Sequence, residues 1–134
     1  MATEICATVE DLYRVEGKAE LINGQIVCDS PTGGLPGFAA SEIFASLREY
    51  AKRTTKGYAI AGNVGFLVDL PHRQSFSPDA AFHIGELTMK FIEGPPVFAV
   101  EVRSESDYGP LEEQKMSQKR MDYFAAGTLV VWDV

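Results

Sequence analysis

Three side chains in this sequence combine the chemistry to handle a phosphate or a divalent cation with a local pattern that singles them out. They are Asp79 in "SFSPDAAFHI", Glu101 in "PVFAVEVRS" and Lys119 in "QKMSQKRMDYFAAG". Asp79 directly follows Pro78, which fits a turn at a strand edge and equally fits one half of a metal site. Alternation along an extended chain puts Ser77, Asp79, Ala81 and His83 on one face and Phe76, Pro78, Ala80, Phe82 and Ile84 on the other. Small residues therefore flank Asp79 on its own face and leave room for a ligand.

The same alternation gathers Val97, Ala99, Glu101 and Arg103 on one face of the second segment. That segment is apolar on both faces from Val97 to Val100 and then turns charged, as a strand does where it ends at the mouth of a cleft. At about 100° per residue, Met116, Lys119, Tyr123 and Ala126 share one stripe of a helix. Lys119 thus interrupts an apolar line, and a buried ammonium needs an anion. Glu101 or a bound phosphate would serve.

Other candidates read more plainly. His83 stands four positions from Asp79, about 13 Å along a strand, so one ion cannot bind both. His72, in "LPHRQS", reads as an exposed turn residue, and Tyr123 as a core aromatic on its helix stripe. Arg103 is expected to pair with Glu101 or Glu105; a guanidinium stays protonated and can clamp a phosphate but cannot act as a base. Cys6 and Cys28 are the only cysteines, too few for a disulfide framework, and read as reduced packing thiols. No serine, histidine and acid combination and no phosphate-cradling glycine motif is present.

The elements that must position these residues follow from the pattern. Thr8 and Asp11 form a variant capping box opening a short helix to about Val15. "AELI" and "QIVC" flank Asn23-Gly24, a strong hairpin signal because both turn positions need φ above zero. "SPTGGLPG" reads as a flexible loop. An amphipathic helix follows through Ala40, Ile43, Phe44, Leu47, Tyr50 and Ala51, ending before Gly57. Three strand segments come next, "YAIAGNVGFLVDL" with a break at Gly62-Asn63, "SPDAAFHI" and "PVFAVEVRS". A helix opened by Pro110 and closed by Gly127 leads to a last buried strand, "TLVVWDV".

A chain of 134 residues, 46% hydrophobic and 23% charged, suits one domain with one core. Its net charge of −7 argues against an extended phosphate-binding surface, yet suits a site that recruits a cation to supply local positive charge. The start "MATEICATVEDLYRV" lacks the plan of a secretory signal, and no run of about 18 apolar residues occurs. No membrane is expected, and the expected address is the cytoplasm.

Taken together, Pro78-Asp79, "EVRS" from Glu101 to Ser104, the Lys119, Tyr123 and Gly127 spacing, "VVWDV", the "AELINGQIV" hairpin and the "DSP" that follows it resemble the Uma-two family of restriction-endonuclease-like proteins. That family lies within the PD-(D/E)xK nuclease superfamily. The resemblance covers Thr8 to Val134. It implies an α/β domain of restriction-endonuclease type, a central mixed sheet flanked by helices with an N-terminal hairpin. It also implies hydrolysis of phosphodiester bonds, with DNA as substrate and Mg²⁺ or Mn²⁺ as cofactor. Asp79 and Glu101 would be the metal ligands, helped by the backbone carbonyl of Val102, with Lys119 as the catalytic lysine. Glu20 would complete the acidic site, though a glutamate beside a hairpin turn can equally pair across strands with a lysine. Arg103 stands where the superfamily usually has its lysine, and Lys119 takes the helix position that the family often uses instead. A histidine common in the glycine-rich loop of relatives is replaced here by "GLPGF". Relatives continue beyond the "VWDV" strand, so the single domain over residues 1–134 is expected to be cut short at its C-terminus. By analogy the domain is expected to form a homodimer, so that two copies engage both strands of a duplex.

Two other classes remain open at this point. A nuclease fold that has lost its chemistry would leave Lys119 pointing into solvent, and an enzyme using two carboxylates as acid and base on a sugar or nucleotide would need a deep pocket instead of an open groove.

Overall fold

The computed structural model describes residues 6–134. Met1 to Ile5, part of the start read above for a secretory signal, lie outside the described residues. Helix α1 (Val9–Tyr13) opens on the expected capping box: the Asp11 N–H donates to Thr8 Oγ1 and the Thr8 N–H donates to Asp11 Oδ2. Strands β1 (Ala19–Ile22) and β2 (Gln25–Cys28) form the hairpin, with Asn23 at φ 50° and Gly24 at φ 71°. Those positive angles are what a two-residue turn between right-twisted strands demands.

Helix α2 (Gly34–Thr54) takes in the last four residues of the stretch read as a loop, with Gly33 as its cap. Pro36 falls in the first turn, where an N–H would have no helical partner anyway, so the proline does not break the helix. The apolar stripe of α2 packs on β3 (Tyr58–Ala61) and on β6 (Ala80–His83), although no residue of the helix is fully buried. Between those two strands lie β4 (Phe66–Leu70) and β5 (Arg73–Phe76), and after them come β7 (Ile92–Glu93), β8 (Phe98–Glu101), α3 (Pro110–Ala126) and β9 (Val130–Asp133).

The architecture is α/β with mixed sheets flanked by helices and an N-terminal hairpin. The strands divide between two sheets, one ordered β2-β1-β5-β4-β7 and the other β3-β6-β8-β9. Each is antiparallel apart from one parallel pair, β4 with β7 and β8 with β9. Helix α3 packs against β4 of the first sheet and β9 of the second. Phe66, Phe76 and Ile92 from one sheet, Ile60, Ala81 and Ala99 from the other, and Tyr123 from α3 make a common core. Tyr123 lies flat on Phe76, ring centroids 3.9 Å apart.

The segment "SFSPDAAFHI" is not one strand. Ser75 and Phe76 belong to β5 in the first sheet, Ser77 to Asp79 cross over, and Ala80 starts β6 in the second. Strand β5 was hidden in "LPHRQS" because its side chains are polar. It is held by them: Ser75 Oγ accepts from the Leu21 N–H at 2.7 Å, and Gln74 Oε1 accepts from the Gly24 N–H at 3.1 Å. Cys6 and Cys28 are free but exposed, which corrects their reading as packing thiols; Cys28 ends β2, the outer strand of its sheet. Among the described residues, no helix is long and apolar enough to cross a membrane.

Candidate active site

Strands β6 and β8 pair antiparallel, with Ala80 opposite Val100 and Ala81 opposite Ala99. One step further along this register sets Asp79 beside Glu101, on the face that carries Ala81 and Ala99 into the core. The crossover is pinned at both ends of the aspartate. Its N–H donates to the Val100 carbonyl at 2.9 Å, and its Oδ2 accepts from the Val102 N–H at 2.7 Å. Gly62, at the break after β3, runs so close that a Cβ there would stand 2.9 Å from the Asp79 carbonyl oxygen. Asp79 therefore does the work of a strand-edge residue while its Oδ1 faces an open cavity.

That cavity has a volume of about 950 Å³, and Asp79, Glu101, Val102 and Lys119 all line it. Lys119 points inward from α3. Its Nζ contacts Glu101 Oε1 and stands 3.1 Å from Glu20 Oε1. Glu20, buried in β1, also accepts from the Ser77 N–H at 2.6 Å and from Arg73 Nη1 at 3.2 Å. Four residues far apart in sequence, Glu20, Asp79, Glu101 and Lys119, thus meet where the two sheets and α3 converge.

The charges in this cluster are held unequally. Burial pushes the Glu101 carboxyl up to about 7; Lys119 opposes the rise, while Glu20 and Asp79 add to it. Burial works on Glu20 in the same sense, but Lys119, Arg73 and the Ser77 N–H outweigh it and hold Glu20 below its usual value. Burial alone would lower the Lys119 ammonium, yet Glu101 and Glu20 reverse the sign and raise it. Of the pair, Lys119 keeps its proton and Glu101 is the group whose charge is weakly held. Glu101 Oε2 is also buried without a hydrogen-bond partner.

Arg103 is elsewhere. It grips Asp133 through Nε and Nη2, at 2.9 and 2.8 Å, and pairs with Glu113 at the start of α3. Its partners are neither Glu101 nor Glu105, a correction whose cause is the register of β9: Asp133 lies directly opposite Glu101 in the parallel pair and meets the guanidinium there. At Val102 the group seen to contact the cluster is the N–H, bound to Asp79. His83 is buried against the Glu86 carbonyl. His72 does sit half-exposed in a turn, but its Nε2 reaches Asp122 Oδ1 at 2.6 Å.

The sequence reading passed over Lys18, Asp29, Arg73 and Asp122. Lys18 Nζ lies 2.6 Å from Asp79 Oδ1 and 4.0 Å from Asp29 Oδ2, and both Lys18 and Asp29 line the cavity. Burial, Glu20 and Asp79 raise the Asp29 carboxyl while Lys18 and Lys119 oppose them. The hairpin register contained this signal, because the pairing of Ala19 with Cys28 places Lys18 opposite Asp29 one step on. Arg73, buried in β5, joins Glu20 to Asp122.

Hard oxygen donors that could hold a divalent cation are present in Asp79 and Glu101. The unpartnered Oε2 of Glu101 is a buried acceptor that such an ion would satisfy. As the side chains stand, Lys18 and Lys119 occupy the two carboxylates, and among the described residues no three acids or histidines converge on a single point.

Mixed sheets flanked by helices, with acids at the strand ends and a lysine reaching them from α3, define a restriction-endonuclease-like α/β domain. The Uma2 family, described as "Putative restriction endonuclease", matches residues 7–134, and the chain belongs to that family. The family's description suggests a nuclease. No curated protein matches the chain.

Proposed function

We propose that this chain is a divalent-cation-dependent endonuclease that hydrolyses phosphodiester bonds of DNA. The observation that carries the reading is the inward-pointing Lys119, held by Glu20 and Glu101 in the cavity that also exposes Asp79. Asp79 and Glu101 would hold Mg²⁺ or Mn²⁺. When bound, such an ion polarises a phosphoryl oxygen and makes a water more acidic.

The remaining work falls to the chain. Lys119, whose proton two carboxylates secure, serves as a hydrogen-bond donor to the negative charge that develops on phosphate oxygens. It is not a general base. Glu20 fixes the direction of that ammonium and is itself fixed by Arg73 and the Ser77 N–H. The Val102 N–H orients the Asp79 carboxylate from behind, so Oδ1 is the oxygen left to the cavity.

A second reading draws on the ion pairs. Lys18 with Asp79 and Lys119 with Glu101 are also what a nuclease fold without chemistry would use to neutralise its buried acids. Incubation of supercoiled plasmid with the purified chain and Mn²⁺ separates the two. The nuclease reading expects nicking or linearisation that a chelator stops and that Glu101→Gln abolishes. No cleavage by the wild type, with equally weak Mn²⁺ uptake by both proteins in calorimetry, would establish the structural reading in its place.

A further inference from the structure

Apart from Lys119, one residue lining the cavity carries a positive charge among the described residues, and it is Lys18. Its side chain is mostly buried, 19% exposed, so the ammonium belongs to the cavity wall in the cation-free site. It rests on Asp79 Oδ1 at 2.6 Å, the oxygen that faces the cavity, while Oδ2 is taken by the Val102 N–H. Asp29, directly across the hairpin, stands at 4.0 Å as a second anion within reach.

We infer that Lys18 is a substrate-positioning residue, whose ammonium neutralises Asp79 in the cation-free site and moves to a DNA phosphate oxygen when a divalent cation takes that carboxylate. The inference rests on the nuclease reading above. Its physical basis is exclusion. An ammonium and a divalent cation cannot share Oδ1 at contact distance, since like charges a few ångströms apart in a partly buried cavity repel strongly. Released from Asp79, the lysine has two kinds of anion to choose from, Asp29 and the incoming backbone. A chain with a net charge of −7 has little other attraction to offer a polyanion at this spot. Lys119 cannot take this role as well, because Glu20 and Glu101 hold it where the reaction would occur.

Lys18 therefore acts with opposite signs on the two ligands, opposing the cation and favouring the nucleic acid. Two measurements read this without relying on cleavage. Calorimetric titration of Mn²⁺ into Lys18→Met should show affinity higher than wild type by about tenfold, because a repelling charge has gone. Fluorescence anisotropy of a short duplex in the presence of the cation should show weaker binding, and the slope of log affinity against log salt should be shallower by about one. Lys18→Arg keeps the charge, and should retain the wild-type salt slope even if Lys18→Met folds poorly.

Unchanged Mn²⁺ affinity together with an unchanged salt slope in Lys18→Met would overturn the role of Lys18 and leave the nuclease reading standing. Weaker Mn²⁺ binding in Lys18→Met would also overturn it, by making the residue a support of the site. Absence of Mn²⁺ binding in the wild type would remove the nuclease reading and this inference with it.

Discussion

Lys119 Nζ lies 3.1 Å from Glu20 Oε1, and this contact joins α3 to the first strand of the hairpin sheet. The same ammonium contacts Glu101 at the end of β8 in the other sheet. One lysine thus ties three separately formed elements together at the floor of the cavity. An ammonium between two carboxylates offsets the charge of both, and its removal leaves two like charges facing each other in a poorly solvated place.

Replacement of Lys119 by methionine is expected to separate chemistry from binding. Loss of a donor aimed at developing charge should lower the single-turnover cleavage rate by about a hundredfold or more. Mn²⁺ affinity should be retained or increased, since a positive charge beside Glu101 has been removed. Quenched-flow cleavage of a labelled duplex, with Mn²⁺ calorimetry on the same preparation, checks both. A rate within a few-fold of wild type would take Lys119 out of the reaction.

The pH dependence turns on Glu101, whose carboxyl is pushed up to about 7. A cation needs it ionised, so below that value a proton competes. Apparent Mn²⁺ affinity should rise with pH by about tenfold per unit, then level off above about 7. Stability of the cation-free protein should move the other way. A carboxyl whose folded value is raised contributes stability that is complete below its unfolded value of 4.5 and is lost as pH rises through about 7. Glu20, held low, contributes in the opposite sense and loses its share only as pH falls. Urea midpoints in chelator should therefore decline across that window for wild type and stay flatter for Glu101→Gln. Parallel profiles for the two proteins would show that Glu101 is ionised throughout.

How much of this was legible in the sequence depends on the range of each signal. The α1 capping box, the Asn23-Gly24 hairpin and both ends of α3 are encoded within a few residues, and they stand where the pattern put them. Period-two alternation placed Asp79 with Ala81 and Glu101 with Ala99, and the β6–β8 register then set the two acids side by side. Strand β5 escaped because Arg73, Gln74 and Ser75 look like turn residues; their burial depends on Glu20, Asp122 and the backbone of the hairpin, which no local window contains. Arg103 was assigned the wrong acids for a similar reason. Asp133 reaches it only through a parallel strand pairing, which leaves no turn signal in the sequence.

Arg73 should matter more to stability than any other single cation in the fold. Its side chain is 7% exposed and bridges Glu20 and Asp122, whose side chains are 7% and 5% exposed. Nη1 donates to Glu20 and to the Ser75 carbonyl, while Nε stands 3.5 Å from Asp122 Oδ2, close enough for charge pairing but not aligned for a hydrogen bond. Arg73→Met takes the guanidinium from two buried carboxylates, leaving Asp122 to His72 and Gln118, and should cost about 3 kcal/mol in chemical denaturation. Its effect should reach the cavity too, because Glu20 would then lean on Lys119 and the Ser77 N–H alone. A loss below about 1 kcal/mol would mean that water reaches these acids and screens them.

Tyr123 gives a prediction of the opposite sign. Its ring is fully buried, stacked on Phe76, while its hydroxyl is buried with no hydrogen-bond partner. Burial first, and then the nearby Glu101 and Glu20 charges, push the phenol well above its usual value, so it stays protonated. A buried hydroxyl without a partner is a net cost, and its removal leaves the packed ring in place. Tyr123→Phe is therefore expected to be neutral or stabilising by up to about 1 kcal/mol, read from the urea midpoint, with cleavage unchanged. Destabilisation by a comparable amount would instead mean that the hydroxyl finds a partner in solution. The nearest acids are those of the cavity, and cleavage should then fall as well.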